Sequence, residues 1–244
     1  MRKNKINLLD CTLRDGGYYN NWFFEKELIN EYLRVMDIIK IDYVEIGFRF
    51  LDKVKTKGPC AYTEEKFLKT LKIPKNLKLG VMVNASDFIG QQNIIELAKK
   101  NFRLKKDSLI SLVRIACHHH EVKEVVPLIN WLKKSGYKVG VNIMQIPELS
   151  SQEIKNSVKE IKKTKADVLY FADSMGSLDS KKTKKIINQI KSIWKKSTGI
   201  HTHDNMGKAL ENSVAAINNS VDWIDCTVTG MGRGPGNTKT EYLV

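Results

Sequence analysis

The sequence lacks any apolar run of the roughly 18 residues that a membrane span requires, which excludes an integral membrane protein. Its basic start leads into a short apolar run closed by Asp10, which predicts a strand rather than a signal peptide, and hence a cytoplasmic location. No linker rich in glycine, serine or proline interrupts residues 1–244, so we expect a single domain. No CxxC pair occurs, which favours free buried thiols over disulfides or a zinc knuckle for Cys11, Cys60, Cys117 and Cys226.

Acidic residues are also scarce, because 27 Asp and Glu stand against 41 Lys and Arg, for a formal charge of +14. Nucleic acid, a membrane surface or an anionic substrate could each account for such a charge. The lysine runs, such as residues 181–185, are not interleaved with the aromatic residues of a base-stacking platform. We interpret them as solvated helix faces and helix ends, and expect neither nucleic acid nor a membrane as a partner.

Short apolar, β-branched runs alternate with longer amphipathic segments rich in lysine and glutamate. The apolar runs predict buried parallel strands at 6–12, 43–47, 79–84, 109–116, 138–146, 168–173, 199–203 and 223–227. The segments between them predict crossover helices, clearest at 25–39, 121–134 and 178–195. Eight such units in 244 residues favour an α/β fold of the (β/α)₈ TIM-barrel type over a doubly wound open sheet.

The last unit of this predicted barrel is short. A glycine-rich loop fills residues 230–237, and residues 238–244 provide only about two helical turns. We therefore expect the eighth helix to be truncated or absent, with the C-terminal region missing or very short. An apolar groove between the first and eighth strands would then lead to self-association, or be filled by a partner or a downstream segment.

Active sites of TIM barrels lie at the carboxyl ends of the strands, and polar residues collect there in this sequence. His201 and His203 are two apart on a predicted strand, so their imidazoles point to the same face. Asp15 follows the first strand, which lies near the seventh in a closed barrel. Two histidines and a carboxylate suit Mn²⁺, Mg²⁺, Zn²⁺ or Fe²⁺, with open positions for substrate.

Other polar residues at these strand ends are candidates for substrate binding. Three consecutive histidines at 118–120 cannot all face one ion, and His118, which is nearest the fourth strand, is the best candidate for a substrate contact. Arg114 on the fourth strand and Asp173 on the sixth are further candidates for substrate contacts. Arg233 is either a contact for a substrate anion or a surface residue.

The loop at 230–237 superficially resembles a dinucleotide-binding loop. It follows the last strand and opens no βαβ unit, so we discount that interpretation. Its glycines let the backbone pass close to the barrel mouth, where Asn237 can offer a carbonyl oxygen to a metal ion.

Residues 9–16, LDCTLRDG, resemble the opening signature of the DRE-TIM metallolyases, which include hydroxymethylglutaryl-CoA lyase and isopropylmalate synthase. The resemblance is closest to the 4-hydroxy-2-oxovalerate aldolases, through residues 113–118, 201–205, 212–216 and 230–237, and it runs from residue 6 to 241. It implies that Asp15, His201 and His203 hold a divalent ion, with Asn237 as a further oxygen ligand or a residue behind the ligands.

The resemblance also assigns catalytic roles. Arg14 would stabilise an enolate oxygen as a fixed cation, and Glu45 would pair with Arg14 or with a metal-bound water. The aldolases have a histidine, taken as the general base, where this sequence has Tyr18. They also continue past the barrel into a helical region that contributes to the active site.

The leading hypothesis is thus a divalent-metal-dependent carbon–carbon lyase or aldolase that acts on a 2-oxo acid and an aldehyde through pyruvate-enolate chemistry. Mn²⁺ and Mg²⁺ are the expected ions, with Zn²⁺ possible. One alternative is a Claisen-type condensing synthase that uses an acyl-CoA. Another is a non-catalytic barrel that serves as a binding or scaffold module in a larger assembly.

Overall fold

The computed structural model describes residues 5–91 and 93–244, and in it eight parallel strands close into a barrel. The first and last strands pair with each other, so the sheet has no free edge. This closed sheet confirms the predicted TIM barrel. Its strands are β1 (Asn7–Asp10), β2 (Tyr43–Phe48), β3 (Lys78–Asn84), β4 (Ile110–Cys117), β5 (Lys138–Ile143), β6 (Val168–Asp173), β7 (Ser197–Thr202) and β8 (Trp223–Cys226).

Helices follow the strands along the chain, and the connection from β2 to β3 holds only a single short α-helix. Among the described residues, no helix is both long and apolar enough to cross a membrane. The α-helices are α1 (Thr12–Asp15), α2 (Gly17–Asn20), α3 (Lys26–Ile38), α4 (Glu65–Leu68), α5 (Ile94–Asn101), α6 (Val126–Lys134), α7 (Ser151–Lys162), α8 (Ser180–Ile193) and α9 (Ala209–Asn218).

Several elements are shorter than the sequence predicts, such as β5, which ends at Ile143 rather than at residue 146, and two of these differences have a clear local cause. The predicted first strand continues to residue 12, but β1 ends at Asp10 because the Asp10 carboxylate accepts hydrogen bonds from the Thr12 amide at 2.9 Å and its hydroxyl at 2.5 Å. These bonds turn the chain directly into α1. The predicted helix at 121–134 begins only at Val126, because the Glu121 carboxylate accepts the His118 amide at 2.7 Å and closes a separate 3₁₀ turn.

Alternation along the strands divides the core into an outer shell and a barrel interior. The outer shell packs the strands against the helices, and its apolar side chains form one large cluster. The smaller interior cluster consists of Leu9, Cys11, Tyr43, Leu112, Val168, Tyr170 and Trp223. The next inward-facing residues toward the carboxyl ends of β2, β4 and β8 are charged and buried. They are Glu45, Arg114 and Asp225.

The segment after β8 lies across the outer face of β8 and β1. Within the described residues no α-helix follows β8, which agrees with the predicted lack of an eighth helix. The Thr227 amide donates to the Thr238 carbonyl at 3.0 Å, and the Thr240 hydroxyl donates to Asp10 at 2.6 Å. The apolar side chains of Leu8 on β1 and of Ile6 just before it are half-buried, and self-association stays a prediction.

Candidate metal centre and active site

Two of the predicted metal ligands, Asp15 and His201, meet at the carboxyl end of the barrel, and the ring of the third, His203, lies beside them although it is not part of the group whose ligand atoms lie within 4.8 Å of one another. The short helix α1 places Asp15 over the mouth, and β7 carries His201 beneath it, with 3.5 Å between Asp15 Oδ2 and His201 Nε2. The His203 ring lies beside the His201 ring, with 5.1 Å between their centroids. All three side chains are almost completely buried, at 2%, 4% and 6% exposure. Polar groups so deeply buried need partners, which makes this cluster a candidate site.

Asn237 reaches the same cluster through the glycine-rich loop. The loop folds back so that the Asn237 amide donates to the Gly230 carbonyl at 2.9 Å, and Asn237 lies opposite His203. This return requires Gly236, because its φ is +93° and a Cβ there would lie 1.9 Å from the Gly230 oxygen. The Asn237 side-chain amide donates to Asp15 Oδ2 at 2.8 Å, while its Oδ1 is buried without a hydrogen-bond partner.

Beneath the cluster, six buried residues form a closed ring of charged contacts, which we call the ion ring. Arg14 binds Asp15 and donates to Glu45 at 2.7 Å. Arg114 binds Glu45 through two bonds of 2.7 and 2.8 Å and reaches Asp225 at 2.6 Å. Asp225 bonds His201 Nδ1 at 2.9 Å, and His201 returns to Asp15. The ion ring thus comprises Arg14, Asp15, Glu45, Arg114, Asp225 and His201.

The charges within the ion ring are unequal. Burial alone would raise the pKa of Glu45, but the neighbouring Arg114 and Arg14 hold it at about 2. Burial raises the pKa of Asp225 to about 6 despite the attraction of Arg114. The ion ring contains three carboxyl groups and two guanidinium groups, so its acidic side chains outnumber its fixed cations by one. A divalent cation is the simplest group that would offset this excess.

Both histidines are prepared as ligands. Burial lowers the pKa of His201 well below its ordinary value and also lowers that of His203, so both rings are neutral at pH 7, the form that binds metals. Nδ1 of His201 forms a hydrogen bond with Asp225, so Nε2 of the same ring faces Asp15. A carboxylate behind a ligating histidine is the usual way in which proteins fix the tautomer and orientation of that ring.

The donor set fits a divalent ion. It contains a carboxylate, two neutral imidazoles and the unpartnered Oδ1 of Asn237, which together favour a borderline or hard cation. One further donor was not predicted from the sequence: the ligand atoms of Cys11, Asp15 and His201 all lie within 4.8 Å of one another.

A family model described as HMGL-like matches residues 5–244 of the chain. The chain belongs to the HMGL-like family. A 4-hydroxy-2-oxovalerate aldolase from Carboxydothermus hydrogenoformans is 30% identical over 243 residues, which cover 98% of this chain and 70% of the relative. An oxaloacetate decarboxylase from Mycobacterium tuberculosis is 23% identical over 239 residues, covering 97% of this chain and 68% of the relative.

Solved structures agree with the HMGL-like assignment. An N-terminal domain from Bacteroides vulgatus, described as part of an aldolase, is 32% identical, with a TM-score of 0.84 over 98% of this chain and 78% of that one. The HMG-CoA lyase of Bacillus subtilis, at 15% identity and a TM-score of 0.77 over 99% and 85% of the two chains, shares the fold. These comparisons confirm the predicted family and the predicted enzyme class, a lyase of the aldolase type.

Two predicted substrate contacts have other partners in this HMGL-like barrel. Arg114 is completely buried inside the ion ring, with its guanidinium 4.6 Å from the centre of the Tyr170 ring. Its contacts are thus those of a residue that positions Glu45 and Asp225, and a substrate contact by Arg114 stays a prediction. The Asp173 carboxylate accepts the Ser177 amide at 2.9 Å and the Leu178 amide at 3.1 Å, so its contacts are those of a loop cap.

The remaining predicted residues line the mouth or lie beside it. The Arg233 guanidinium lies 5.0 Å from the centre of the Tyr18 ring, and Tyr18 is 41% exposed. Burial raises the pKa of Tyr18 above its ordinary value despite the nearby charges of Arg14 and Arg233. Tyr18 is therefore protonated at neutral pH, where it is a poor base and a possible proton donor. The His118 ring stacks on His120 with 5.5 Å between centroids, away from the ion ring contacts.

The sequence reasoning missed Asp225 and Cys11. Asp225 lies in the middle of β8 between apolar neighbours, and a lone buried carboxylate in such a strand is a signal that it pairs with a charge inside the barrel. Cys11 is two residues beyond Leu9 and shares its inward face. Both could have been placed by applying strand alternation to every strand rather than to β7 alone.

Proposed function

We propose that this protein is a divalent-metal-dependent carbon–carbon lyase that cleaves or forms the bond next to the reactive methylene of a 2-oxo acid. The ion ring is the observation that supports this proposal. It joins the metal-ligand cluster to the guanidinium of Arg14, whose Nη2 has no hydrogen-bond partner. Asp15, His201 and His203 would hold the ion, with the Oδ1 of Asn237 as a further ligand. Such an ion, Mn²⁺ or Mg²⁺ in this proposal, with Zn²⁺ possible, supplies Lewis-acid polarisation of the 2-oxo group.

Arg14 provides the protein's own electrostatic contribution. Its Nε and Nη1 are held by Glu45 and Asp15, whereas Nη2 is buried without a partner. A fixed, buried N–H donor beside a metal cluster is suited to an oxygen on which negative charge develops. The 2-oxo oxygen becomes such an oxygen when the adjacent carbon–carbon bond breaks and leaves its electron pair as an enolate.

The names of the relatives support this class of substrate. Cleavage of a 4-hydroxy-2-oxo acid and decarboxylation of oxaloacetate both break the bond between carbons 3 and 4 and leave the enolate of pyruvate. A cavity of about 210 Å³ beside His203 offers room for a molecule of this size. It is lined by Gln145, Ser174, Met175, His203, Asn205, Arg233 and Gly234.

Exchange of the pyruvate methyl hydrogens for deuterium tests the proposal without knowledge of the aldehyde. We expect exchange that requires added Mn²⁺ or Mg²⁺, stops with a chelator, and is lost in His203→Ala. The matched control is His119→Ala, a half-exposed histidine that pairs with Glu153 outside the cluster. A protein that binds the ion at one equivalent and shows no exchange, cleavage or decarboxylation of 2-oxo acids would contradict the proposal and favour the non-catalytic alternative.

A further inference from the structure

The thiol of Cys11 is a feature that the proposed reaction does not use. Cys11 is fully buried at the top of the barrel interior. Its Sγ lies 3.5 Å from Asp15 Oδ2, and it is the sulfur of the three-residue group whose ligand atoms lie within 4.8 Å of one another. The other three cysteines belong to no such group among the described residues.

The spacing of these donors matches tetrahedral coordination. Bonds of about 2.3 Å to sulfur and about 2.0–2.2 Å to nitrogen or oxygen place neighbouring ligand atoms about 3.4–3.6 Å apart in a tetrahedron. Asp15 Oδ2 lies 3.5 Å from Cys11 Sγ and 3.5 Å from His201 Nε2. Two of the three donor separations thus already match tetrahedral coordination, and the third, between the cysteine sulfur and the histidine nitrogen, is within 4.8 Å.

A second, independent observation points to a ligand at this place. Asn237 is 2% exposed, and its Oδ1 has no hydrogen-bond partner although its amide nitrogen binds the same Asp15 oxygen. A buried carbonyl oxygen without a partner is costly unless something else binds it. Because Nδ2 is the atom that faces Asp15, the side-chain amide would turn about its terminal bond to offer Oδ1 as the fourth donor beside Cys11, Asp15 and His201.

We infer that Cys11 is a metal ligand and that it gives the centre a second donor set, Cys11, Asp15, His201 and Asn237, which selects thiophilic ions such as Zn²⁺ and Cd²⁺. Sulfur binds as the thiolate, so the Cys11 proton leaves to solvent as the ion is bound. Oxygen-preferring ions use His203 in place of Cys11. The inference shares Asp15 and His201 with the proposed function, and its test therefore measures binding rather than activity.

Cobalt is the most direct probe, because Co²⁺ bound to a thiolate has an intense near-ultraviolet charge-transfer absorption that oxygen and nitrogen ligands do not produce. We expect titration of the metal-free protein with Co²⁺ to give this band at one equivalent. Cys11→Ser should abolish it and weaken Zn²⁺ binding by roughly 10- to 100-fold, while Mn²⁺ binding stays unchanged. Cys226→Ser is the matched control, because Cys226 is equally buried on the next strand and points to the Leu9 carbonyl.

The outcomes separate this inference from the proposed function. Stoichiometric Co²⁺ binding without the charge-transfer band, or a full band in Cys11→Ser, would overturn the inference and leave the proposed function standing. Failure to bind any divalent ion would overturn both. Should Cys11→Ser not fold, the ultraviolet cadmium–thiolate band of the unmodified protein decides the question, because its absence at one bound Cd²⁺ excludes a sulfur ligand.

Discussion

The two halves of the barrel mouth use their polar residues differently. On one half, built by β7, β8, β1 and β2 together with Arg114 of β4, buried charges bind one another across strands, as Glu45 binds Arg14 and Arg114. On the other half, in the loops that follow β4 and β6, acidic side chains bind the backbone of their own loops, as Asp173 does at Ser177 and Leu178. Cross-strand pairing builds a site that no single loop could form, whereas local pairing only shapes a loop.

This difference has an energetic side. The attraction within a buried ion pair offsets little more than the free energy that is lost when its two charges leave water. The ion ring therefore contributes little to the stability of the fold. Loop caps such as Asp173 are ordinary stabilising contacts. We therefore explain the charged half by the metal-ligand cluster that it holds at the mouth. Substitutions there should affect metal binding and turnover far more than substitutions on the other half.

Loss of a metal ligand is the largest effect that we expect. His203→Ala removes a neutral, buried imidazole from the cluster, so binding of Mn²⁺ at one equivalent should be lost together with activity. His118→Ala, on the other half of the mouth, should leave the metal content unchanged. Metal analysis of the two purified variants makes the comparison, and equal stoichiometry in both would show that the ligand assignment is wrong.

Breaking the ion ring should have the next largest effect, on stability. Glu45→Gln leaves Arg14 and Arg114 without their shared carboxylate, and an unpaired buried charge costs about 3–5 kcal/mol. Because the pKa of Glu45 lies at about 2 in the folded protein and 4.5 when unfolded, its contribution is complete above pH 4.5 and is lost as the pH falls toward 2.

Denaturant unfolding of the parent and of Glu45→Gln between pH 7 and pH 3 measures this contribution of Glu45 to stability. The difference in the free energy of unfolding between the parent and Glu45→Gln should shrink by about 2 kcal/mol between pH 7 and pH 3. Glu31→Gln is the control, because Glu31 pairs with Arg34 on the exposed face of α3. A difference that is small or does not change with pH would mean that the ion ring carries no net charge coupling.

Arg14→Lys tests the electrostatic role with the fold kept. Lysine retains the charge, but its three N–H donors leave a single tetrahedral nitrogen, so they cannot reproduce the planar fork that binds Asp15 and Glu45 while Nη2 points elsewhere. We expect the metal to stay bound and turnover to fall by about 10²- to 10³-fold, as for the loss of one oxyanion donor. Arg34→Lys should have no effect. Full activity in Arg14→Lys, measured as pyruvate exchange, would refute the role of Nη2.

Most of the fold could be predicted because it depends on patterns that are local in the sequence. Each buried parallel strand is a short apolar run, and eight of these in one chain allow few architectures. The ends of the elements were less predictable, because single hydrogen bonds fix them, such as that from the Thr12 amide to Asp10. The path of the last segment depends on the contact of Thr240 with Asp10, which lies 230 residues away.

The ligands could be predicted where one motif carries them, and less well where several strands contribute. His201 and His203 share a strand, so their spacing alone implies convergence. The ion ring depends on which side chains of β2, β4 and β8 lie at the same height in the barrel, and that depends on strand register. The pairing of Arg114 with Glu45 and Asp225 was consequently not predicted, and Asp225 had no predicted role.

The smallest effect should come from the other half of the mouth. Asp173→Ala removes the acceptor of the Ser177 and Leu178 amides, and leaving these buried donors unpaired should cost about 1–3 kcal/mol. Asp173→Asn keeps one carbonyl oxygen and should recover part of this loss. Metal affinity should stay that of the parent in both variants, because the side chain makes no contact with the ion ring among the described residues. Thermal unfolding and a metal titration on the same samples separate the two readouts. A fall in substrate affinity with stability and metal binding intact would instead restore Asp173 as the substrate contact that its place at the end of β6 first predicted.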